Sequence, residues 1–323
     1  MILMTGLNSR LLLSTAAASA TALVLAGCGG AGGASGDEAA GDGLRVVAGF
    51  YPLEWAAARV GGDRISVTSL APPGAEAHDL ELSPQDVGAV SEADLVVYLA
   101  GFQPALDEAA ESEAGDHAWD AGTAADLSST AAAEHGDEAE HADEAEHADE
   151  AVDPHFWLDP VRLASVGDAL AAQLAKIDPD GADTYDENAT ALREELENLD
   201  SEMQAALDGC QVTTLVTSHD AFGYLGERYG FEVVGISGLS PTQEPDPGQL
   251  AEIATLVRER DVTTVYTETL VDPAVAETVA AEAGAETAVL DPIEGLSDES
   301  AGSDYLEVMR ANLAVLRAGQ SCA

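Results

Sequence analysis

Three histidines in separate sequence contexts are the residues of this chain best suited to chemistry. They are His78, His155 and His219, in a chain with only seven histidines. Imidazole nitrogen is a favoured ligand of zinc and of the neighbouring transition metals. Because three of the other histidines lie together in one acidic tract, nearly every imidazole can be assigned to metal capture. We therefore interpret the three isolated histidines as a metal-binding set.

The tract from residue 134 to 150 is repetitive and acidic. Nine of its 17 residues are Asp or Glu, and a six-residue unit spaces His135, His141 and His147. It has no apolar side chain larger than Ala, so it cannot bury a core and is predicted to be disordered without a ligand. A helix would turn successive histidines to different faces. We expect a mobile chelating tract, with a plain solubilising spacer as the alternative.

The N-terminus has the features of an export signal. Arg10 precedes an apolar run, 11–25, that is shorter than the ~20 residues of a membrane-spanning helix. The run ends in Leu25-Ala26-Gly27-Cys28, which resembles a bacterial lipobox, so Cys28 is predicted to be lipidated. A secretory signal with an incidental cysteine is the alternative. The glycine-rich residues that follow predict a flexible tether, and hence a body held on the outer face of the cytoplasmic membrane.

Net charge and cysteine content restrict the possibilities further. A formal charge of -48 disfavours nucleic acid and anionic substrates, because the protein's field would repel both. The charge by itself indicates only a solvated surface, as in a salt-adapted protein. Cys210 and Cys322 would meet an oxidising environment and can form a disulfide. A metal–thiolate role is the alternative, although neither cysteine belongs to a Cys-x-x-Cys pair.

Alternating strands and helices are predicted in both halves of the chain. An apolar stripe with spacings of three and four predicts one long helix over 182–207, about 40 Å in length. Alternation of this kind is typical of a parallel sheet flanked by helices. The predicted fold class is α/β, with two lobes that each contain a mostly parallel sheet and are joined by the long helix. Strands are predicted at 44–50, 65–70, 94–99, 212–217, 231–236, 262–266 and 287–290.

The ends of the predicted strands indicate where a ligand would bind. Ligands of open parallel sheets bind beyond the carboxyl ends of the strands. His219 follows a predicted strand and Asp291 ends another, so we expect polar ligands at a cleft between the lobes. The predicted segments are a signal peptide at 1–27, a tether at 28–43, an N-terminal lobe at 44–178 that includes the tract, a bridging helix at 179–209 and a C-terminal lobe at 210–323.

Several motifs together resemble the zinc ABC-transporter solute-binding proteins, a family with two lobes bridged by a rigid helix. The motifs occur in the family's order and extend over essentially the whole mature chain. Each motif alone is weakly specific, whereas their combination is highly specific. They are Phe50-Tyr51-Pro52-Leu53, Pro73-Gly74-Ala75-Glu76-Ala77-His78-Asp79, Ala93-Asp94-Leu95-Val96-Val97, Asp153-Pro154-His155-Phe156-Trp157-Leu158-Asp159-Pro160, Ser218-His219-Asp220-Ala221-Phe222-Gly223-Tyr224-Leu225, Glu244-Pro245 and Leu290-Asp291-Pro292-Ile293-Glu294-Gly295-Leu296.

The resemblance implies that His78, His155 and His219 are metal ligands and that Asp291 is the fourth. Glu76, Glu268 or a water molecule could fill the fourth position instead. Manganese-selective relatives tend to carry Glu at the position of His219, so three nitrogens favour Zn(II) here. The family commonly has Pro where this chain has Ala77. The implied function is a lipid-anchored, monomeric receptor that delivers Zn(II) to an ABC permease.

A zinc metallohydrolase is the alternative from another functional class. A catalytic zinc keeps an open position for water and needs a general base, for which Glu76 could serve. The chain lacks a His-Glu-x-x-His motif, and a fourth protein ligand would close the site. A manganese or iron receptor on the same fold and a surface adhesin are the remaining alternatives.

Overall fold

The structure, a computed structural model, describes residues 43–128, 152–243 and 245–323. The predicted signal peptide, Cys28 and the acidic tract with its three histidines lie outside the described residues, as does Glu244. Within the described part of the chain, no helix is long and apolar enough to cross a membrane.

The N-terminal half contains a four-stranded sheet in which all pairs of neighbours are parallel. Its order is β2-β1-β3-β4, so the chain reverses its direction of winding between β1 and β3. Val96 and Val97 of β3 are fully buried, as expected for an inner strand of a parallel sheet covered on both faces. The strands are β1 (Leu44–Ala48), β2 (Ile65–Ser69), β3 (Leu95–Tyr98) and β4 (Ala118–Asp120).

The C-terminal half repeats this topology. Its sheet has the order β6-β5-β7-β8, again with parallel pairs throughout. The winding reverses between β5 and β7, and the carboxyl ends of these two strands therefore form the crevice where ligands of such sheets bind. The strands are β5 (Thr214–Thr217), β6 (Glu232–Gly235), β7 (Thr264–Thr267) and β8 (Glu286–Val289).

Helices flank both sheets, and their starts follow the signals in the sequence. Ser83 accepts a hydrogen bond from the backbone of Asp86 in a capping box. Asp159 caps the helix that begins at Pro160 by accepting from the backbone of Val161. The helices are α1 (Tyr51–Gly61), α2 (Pro84–Glu92), α3 (Pro104–Ala109), α4 (Gly122–Ala125), α5 (Pro160–Ile177), α6 (Ala182–Leu207), α7 (Gly223–Tyr229), α8 (Pro247–Glu259), α9 (Ala274–Ala283) and α10 (Tyr305–Gly319).

The 26-residue helix α6 connects the two lobes, as predicted. It packs against α1 and α5 of the N-terminal half and against α7 and α10 of the C-terminal half. Its apolar stripe enters a core that extends across both halves. The stripe consists of seven buried side chains, which are Tyr185, Ala189, Leu192, Leu196, Leu199, Met203 and Leu207.

The prediction of two lobes with parallel sheets and a long connecting helix is confirmed. The predicted domain boundaries stay predictions. The structure also contains the disulfide between Cys210 and Cys322. It joins the residues that follow α6 to the end of the chain, and thus fastens the C-terminus to the base of the second lobe. The short strand β4 has no counterpart among the predicted elements, because three residues give too little periodicity to predict a strand.

Candidate metal centre

His78 lies in the loop that follows β2. A turn at Gly74, whose φ is 78°, leads into a segment in which the backbone N–H of His78 donates to Glu76 Oε1 at 3.0 Å. The side chain of Gln103 holds the loop from the other side, since its Nε2 donates to the carbonyl oxygen of buried Ala77 at 3.0 Å. These bonds fix the backbone on both sides of His78, even though Ala77 lacks the rigidity of proline.

His155 lies in the loop that leads into α5. Asp153 Oδ1 accepts from the backbone N–H of His155 at 2.9 Å and lies 2.8 Å from its Nδ1. A carboxylate at Nδ1 fixes the orientation of the imidazole and directs Nε2 away from it, as is usual for metal-binding histidines. Asp153 is therefore an orienting residue that the sequence motif contains but that sequence reasoning did not identify.

His219 lies beyond the carboxyl end of β5, and Glu268 follows the neighbouring strand β7. The two residues meet because the parallel strands end at the same edge. Glu268 Oε2 lies 2.7 Å from His219 Nδ1, and Glu268 Oε1 accepts from the backbone N–H of His219 at 3.0 Å. Glu268, an alternative fourth ligand in the sequence prediction, instead orients His219 in the manner in which Asp153 orients His155.

The fourth donor in the cluster is Glu294 rather than Asp291. Asp291 Oδ1 accepts from the backbone N–H of Ile293 at 2.8 Å, and Ile293 has a φ of 59°. This turn directs the next side chain, Glu294, towards the histidines. Asp291, the predicted fourth ligand, is therefore not one of the four clustered donors among the described residues. Both carboxylates lie in one motif, three residues apart, and only the loop conformation decides which of them faces the histidines.

Five of the six distances between the four donor atoms are close to those of a tetrahedral zinc site. Nε2 of His155 lies 3.3 Å from Nε2 of His78 and 3.4 Å from Nε2 of His219. Glu294 Oε1 lies 3.5, 3.4 and 3.3 Å from the Nε2 atoms of His78, His155 and His219. In a tetrahedron with ligands about 2.05 Å from zinc, neighbouring donors are about 3.3 Å apart. All four donor atoms lie within 4.8 Å of one another, so this set could hold a metal ion.

The cluster is buried and bordered by aromatic rings. The side chain of His78 is 10% exposed and that of Glu294 only 3%, and His155 and His219 are fully buried. The ring of Phe102 packs edge-on against His78 at 4.5 Å between centroids. Among the described residues, Glu294 Oε1 makes no hydrogen bond although it is buried. An unsatisfied buried oxygen is costly, so this one is well placed to bind a cation.

The cluster's charges shift the pKa values of its members. Burial opposes protonation of His219, but the carboxylates of Glu268 and Glu294 outweigh it and raise the pKa of His219 to about 10. For His155, burial is likewise outweighed by Asp153 and Glu294, and the pKa is raised. Burial would raise the pKa of Glu294, yet the three imidazoles lower it well below its ordinary value. The carboxylates therefore favour the protonated forms of His155 and His219.

Glu76, the other alternative fourth ligand, is outside the donor set. Burial and the nearby carboxylate of Glu294 raise the pKa of Glu76 to about 8. Its carboxylate oxygens accept from the backbone N–H groups of His78 and Asp79. Glu76 thus supports the loop that carries His78.

Comparison with known proteins shows which proteins this chain is similar to. Residues 46–319 match the protein family described as zinc-uptake complex component A, periplasmic. The high-affinity zinc uptake system protein ZnuA of Bacillus subtilis is 37% identical over 300 residues, which cover 91% of this chain and 93% of ZnuA. The zinc-binding lipoprotein AdcA of Streptococcus pneumoniae is 33% identical over 85% of this chain, but this chain covers only 55% of AdcA.

Solved structures show the same fold. The laminin-binding protein Lmb of Streptococcus agalactiae, described as a bifunctional protein with adhesin and metal transporting activity, superposes with a TM-score of 0.74 at 33% identity, over 86% of this chain and 100% of Lmb. A Zn(II)-bound variant of AdcAII from Streptococcus pneumoniae superposes with a TM-score of 0.73 at 29% identity, over 87% of this chain and 99% of AdcAII. With the buried cluster of three histidines and one glutamate, these matches establish that the chain belongs to the zinc-binding component A family of periplasmic zinc-uptake receptors.

Proposed function

We propose that this receptor binds one Zn(II) through His78, His155, His219 and Glu294 and delivers it to an ABC import permease. The observation that supports this ligand set most directly is the clustering of its four donor atoms, of which five of the six pairs are 3.3–3.5 Å apart, as in a tetrahedral site. Three nitrogens and one oxygen suit zinc better than manganese, which prefers oxygen-rich, higher-coordinate sites. We therefore expect zinc to outcompete manganese strongly.

A receptor role also accounts for the site better than hydrolysis does. Catalytic zinc sites have three protein ligands and an open position for water, whereas structural or carrier sites have four. In the proposed set Glu294 is the fourth ligand. The carboxylates of Asp153 and Glu268 contact His155 and His219, and Glu76 accepts from the backbone of the loop that carries His78. We propose that the protein is not an enzyme and that zinc is its cargo.

Competitive metal titration tests the proposed ligand set. The parent for this experiment is the full chain with His135, His141 and His147 replaced by Ala, which removes the imidazoles of the tract. By calorimetry with Zn(II) and Mn(II), we expect one tight zinc site, weakened at least about 100-fold by His219→Ala, because loss of a mere orienting group already costs 10–100-fold. The control is His117→Ala, since His117 is exposed and outside the cluster.

Two results would contradict the proposal. Preference of the parent for Mn(II) would overturn the argument from the donor set. Equal zinc affinity of the His219→Ala variant and the parent would remove His219 from the site.

We further propose that the protein is monomeric and anchored to the membrane through a lipid on Cys28. The lipobox-like residues before Cys28 support the anchor, and so does the description of the relative AdcA as a lipoprotein. We expect Cys28→Ser to move the protein from the membrane fraction to the soluble fraction of the producing cells. Retention of this variant in the membrane fraction would argue against the lipid anchor.

A further inference from the structure

The loop Asp153–Asp159, which carries His155, is held by two tyrosines of the C-terminal half. Tyr224 of α7 donates its hydroxyl to the carbonyl oxygen of Asp153 at 3.1 Å. Tyr305, the first residue of α10, donates its hydroxyl to the carbonyl oxygen of Trp157 at 2.5 Å. Both tyrosines are fully buried. The carbonyl groups of Asp153 and Trp157, one on each side of His155, are thus bound by side chains from the other half of the chain.

Further contacts attach the same loop to the C-terminal half. The indole N–H of Trp157 donates to the carbonyl oxygen of Pro292 at 2.7 Å, two residues before Glu294. Arg228 Nε lies 3.2 Å from the carboxylate of Asp159 at the other end of the loop. Although the loop leads into a helix of the N-terminal half, its hydrogen bonds connect it to the half that carries His219 and Glu294.

The Tyr224 hydroxyl acts on His155 through Asp153. The carboxylate of Asp153 binds both the backbone N–H and the Nδ1 of His155, so the position of the Asp153 backbone determines where the imidazole lies. The guanidinium of Arg162 covers the ring of Tyr224 at 4.6 Å from its centroid. Tyr305 acts through Trp157, whose ring centroid is 5.2 Å from that of His155.

We propose that the hydroxyl groups of Tyr224 and Tyr305 are positioning groups for the metal site: they fix the His155 loop against the C-terminal half so that its imidazole lies within reach of the other three donors. This inference rests on the proposed ligand set. The complete burial of Tyr224 agrees with a role in core packing. The hydroxyl bond to the ligand loop adds the second role, because packing by itself would be served equally well by phenylalanine.

Tyr→Phe substitutions separate the two roles, since they remove the hydroxyl and preserve the ring. The proteins compared are the full-length parent lacking the tract histidines and its Tyr224→Phe, Tyr305→Phe and doubly substituted variants. The matched control is Tyr266→Phe, because Tyr266 is equally buried and donates to a neutral acceptor, Gln320 Oε1, at 2.9 Å. The readouts are the visible absorption spectrum of the Co(II)-loaded protein, the rate of Zn(II) release to a chelator and the thermal unfolding midpoint.

We expect each single variant to release zinc about three- to tenfold faster than the parent, as for the loss of one hydrogen bond, with a larger effect in the double variant. The Co(II) spectrum should change in these variants and not in Tyr266→Phe, even where the unfolding midpoints fall equally. Parent-like spectra and release rates in both single variants would overturn the inference while leaving the ligand set intact. Absence of tight zinc binding in the parent would overturn both proposals. The single variants decide the question if the double variant does not fold.

Discussion

At the scale of single residues, the site is built from histidines whose protonation competes with metal. His155 and His219 each contact a carboxylate through Nδ1, which leaves Nε2 to face the cluster. The same carboxylates stabilise the protonated imidazoles when no metal is bound. Zinc binding must therefore displace protons, and the affinity for zinc is expected to rise with pH beyond the ordinary pKa of histidine.

The pKa shifts predict how the stability of the metal-free protein changes with pH. The pKa of His219 is raised from 6.5 to about 10 in the folded protein. The proton on His219 contributes stability that is fully present below pH 6.5 and is lost as the pH rises through about 10. Glu76, whose pKa is raised from 4.5 to about 8, acts in the same direction. We expect the thermal unfolding midpoint of the metal-free protein to fall between pH 6.5 and 10.

Unfolding of the metal-free protein measured at several pH values checks this expectation. In the His219→Ala variant the fall should be smaller, since the proton-binding imidazole is gone. A midpoint that is constant or rises over this range in the unsubstituted protein would show that the cluster does not hold the extra protons.

At the scale of the elements, strand ends and loops position the donors, and one helix connects the two lobes. The reversal of winding between β5 and β7 brings His219 and Glu268 together. Loops after β2 and β8 and before α5 supply the other three donors. Each of these loops buries apolar side chains of its own, among them Ala77, Trp157 and Ile293. Helix α6 packs against helices of both lobes and shares one core with these side chains.

The apolar stripe of α6 should therefore be sensitive to truncation. A Cβ atom on Gly167 of α5 would lie 2.9 Å from a methyl group of Leu192, which shows how closely the two helices pack. Leu192→Ala is expected to lower the free energy of unfolding by about 2–5 kcal/mol, because it leaves a cavity at this contact. Chemical denaturation of the metal-free protein measures the loss. Glu194→Ala, an exposed position on the same helix, should change stability by about 0.5 kcal/mol at most, and equal losses for both variants would contradict the assigned packing.

At the scale of the whole molecule, the receptor combines a buried site of fixed geometry with a highly acidic chain. The formal charge of -48 raises the concentration of cations around the protein but does not distinguish among them. Selection among cations is therefore assigned to the four clustered donors, of which three are buried. The composition of the tract at 134–150 indicates that it binds cations weakly and without selectivity.

Removing the tract should accordingly separate weak binding from tight binding. Deletion of residues 134–150 is expected to leave one tight zinc site with unchanged affinity and to abolish only the weak additional ions, because none of the four clustered donors lies in the tract. Calorimetric titration of the intact and deleted proteins with Zn(II) checks the stoichiometry of both classes. Loss of the tight site on deletion would contradict the division of roles.

Local sequence patterns were sufficient to predict much of the architecture. Apolar runs predicted seven of the strands, and the spacing from Tyr185 to Leu207 predicted α6, because a buried face imposes its own period on the sequence. The strands observed differ from those predicted by one to three residues at their ends, where hydrogen bonding to neighbours decides the boundary. The histidines that meet in the cluster were also identifiable, since imidazoles are scarce in this chain and each lies in a distinctive motif.

The tertiary structure alone decided the rest of the site. Whether Asp291 or Glu294 joins the histidines depends on the turn at Ile293, which directs the side chain of Glu294 towards them. The orienting roles of Asp153 and Glu268 and the hydroxyl bonds of Tyr224 and Tyr305 likewise depend on which strands and loops become neighbours. A sequence records which donors are available, whereas the direction of a side chain and its hydrogen-bond partner are set by contacts between residues far apart in the chain.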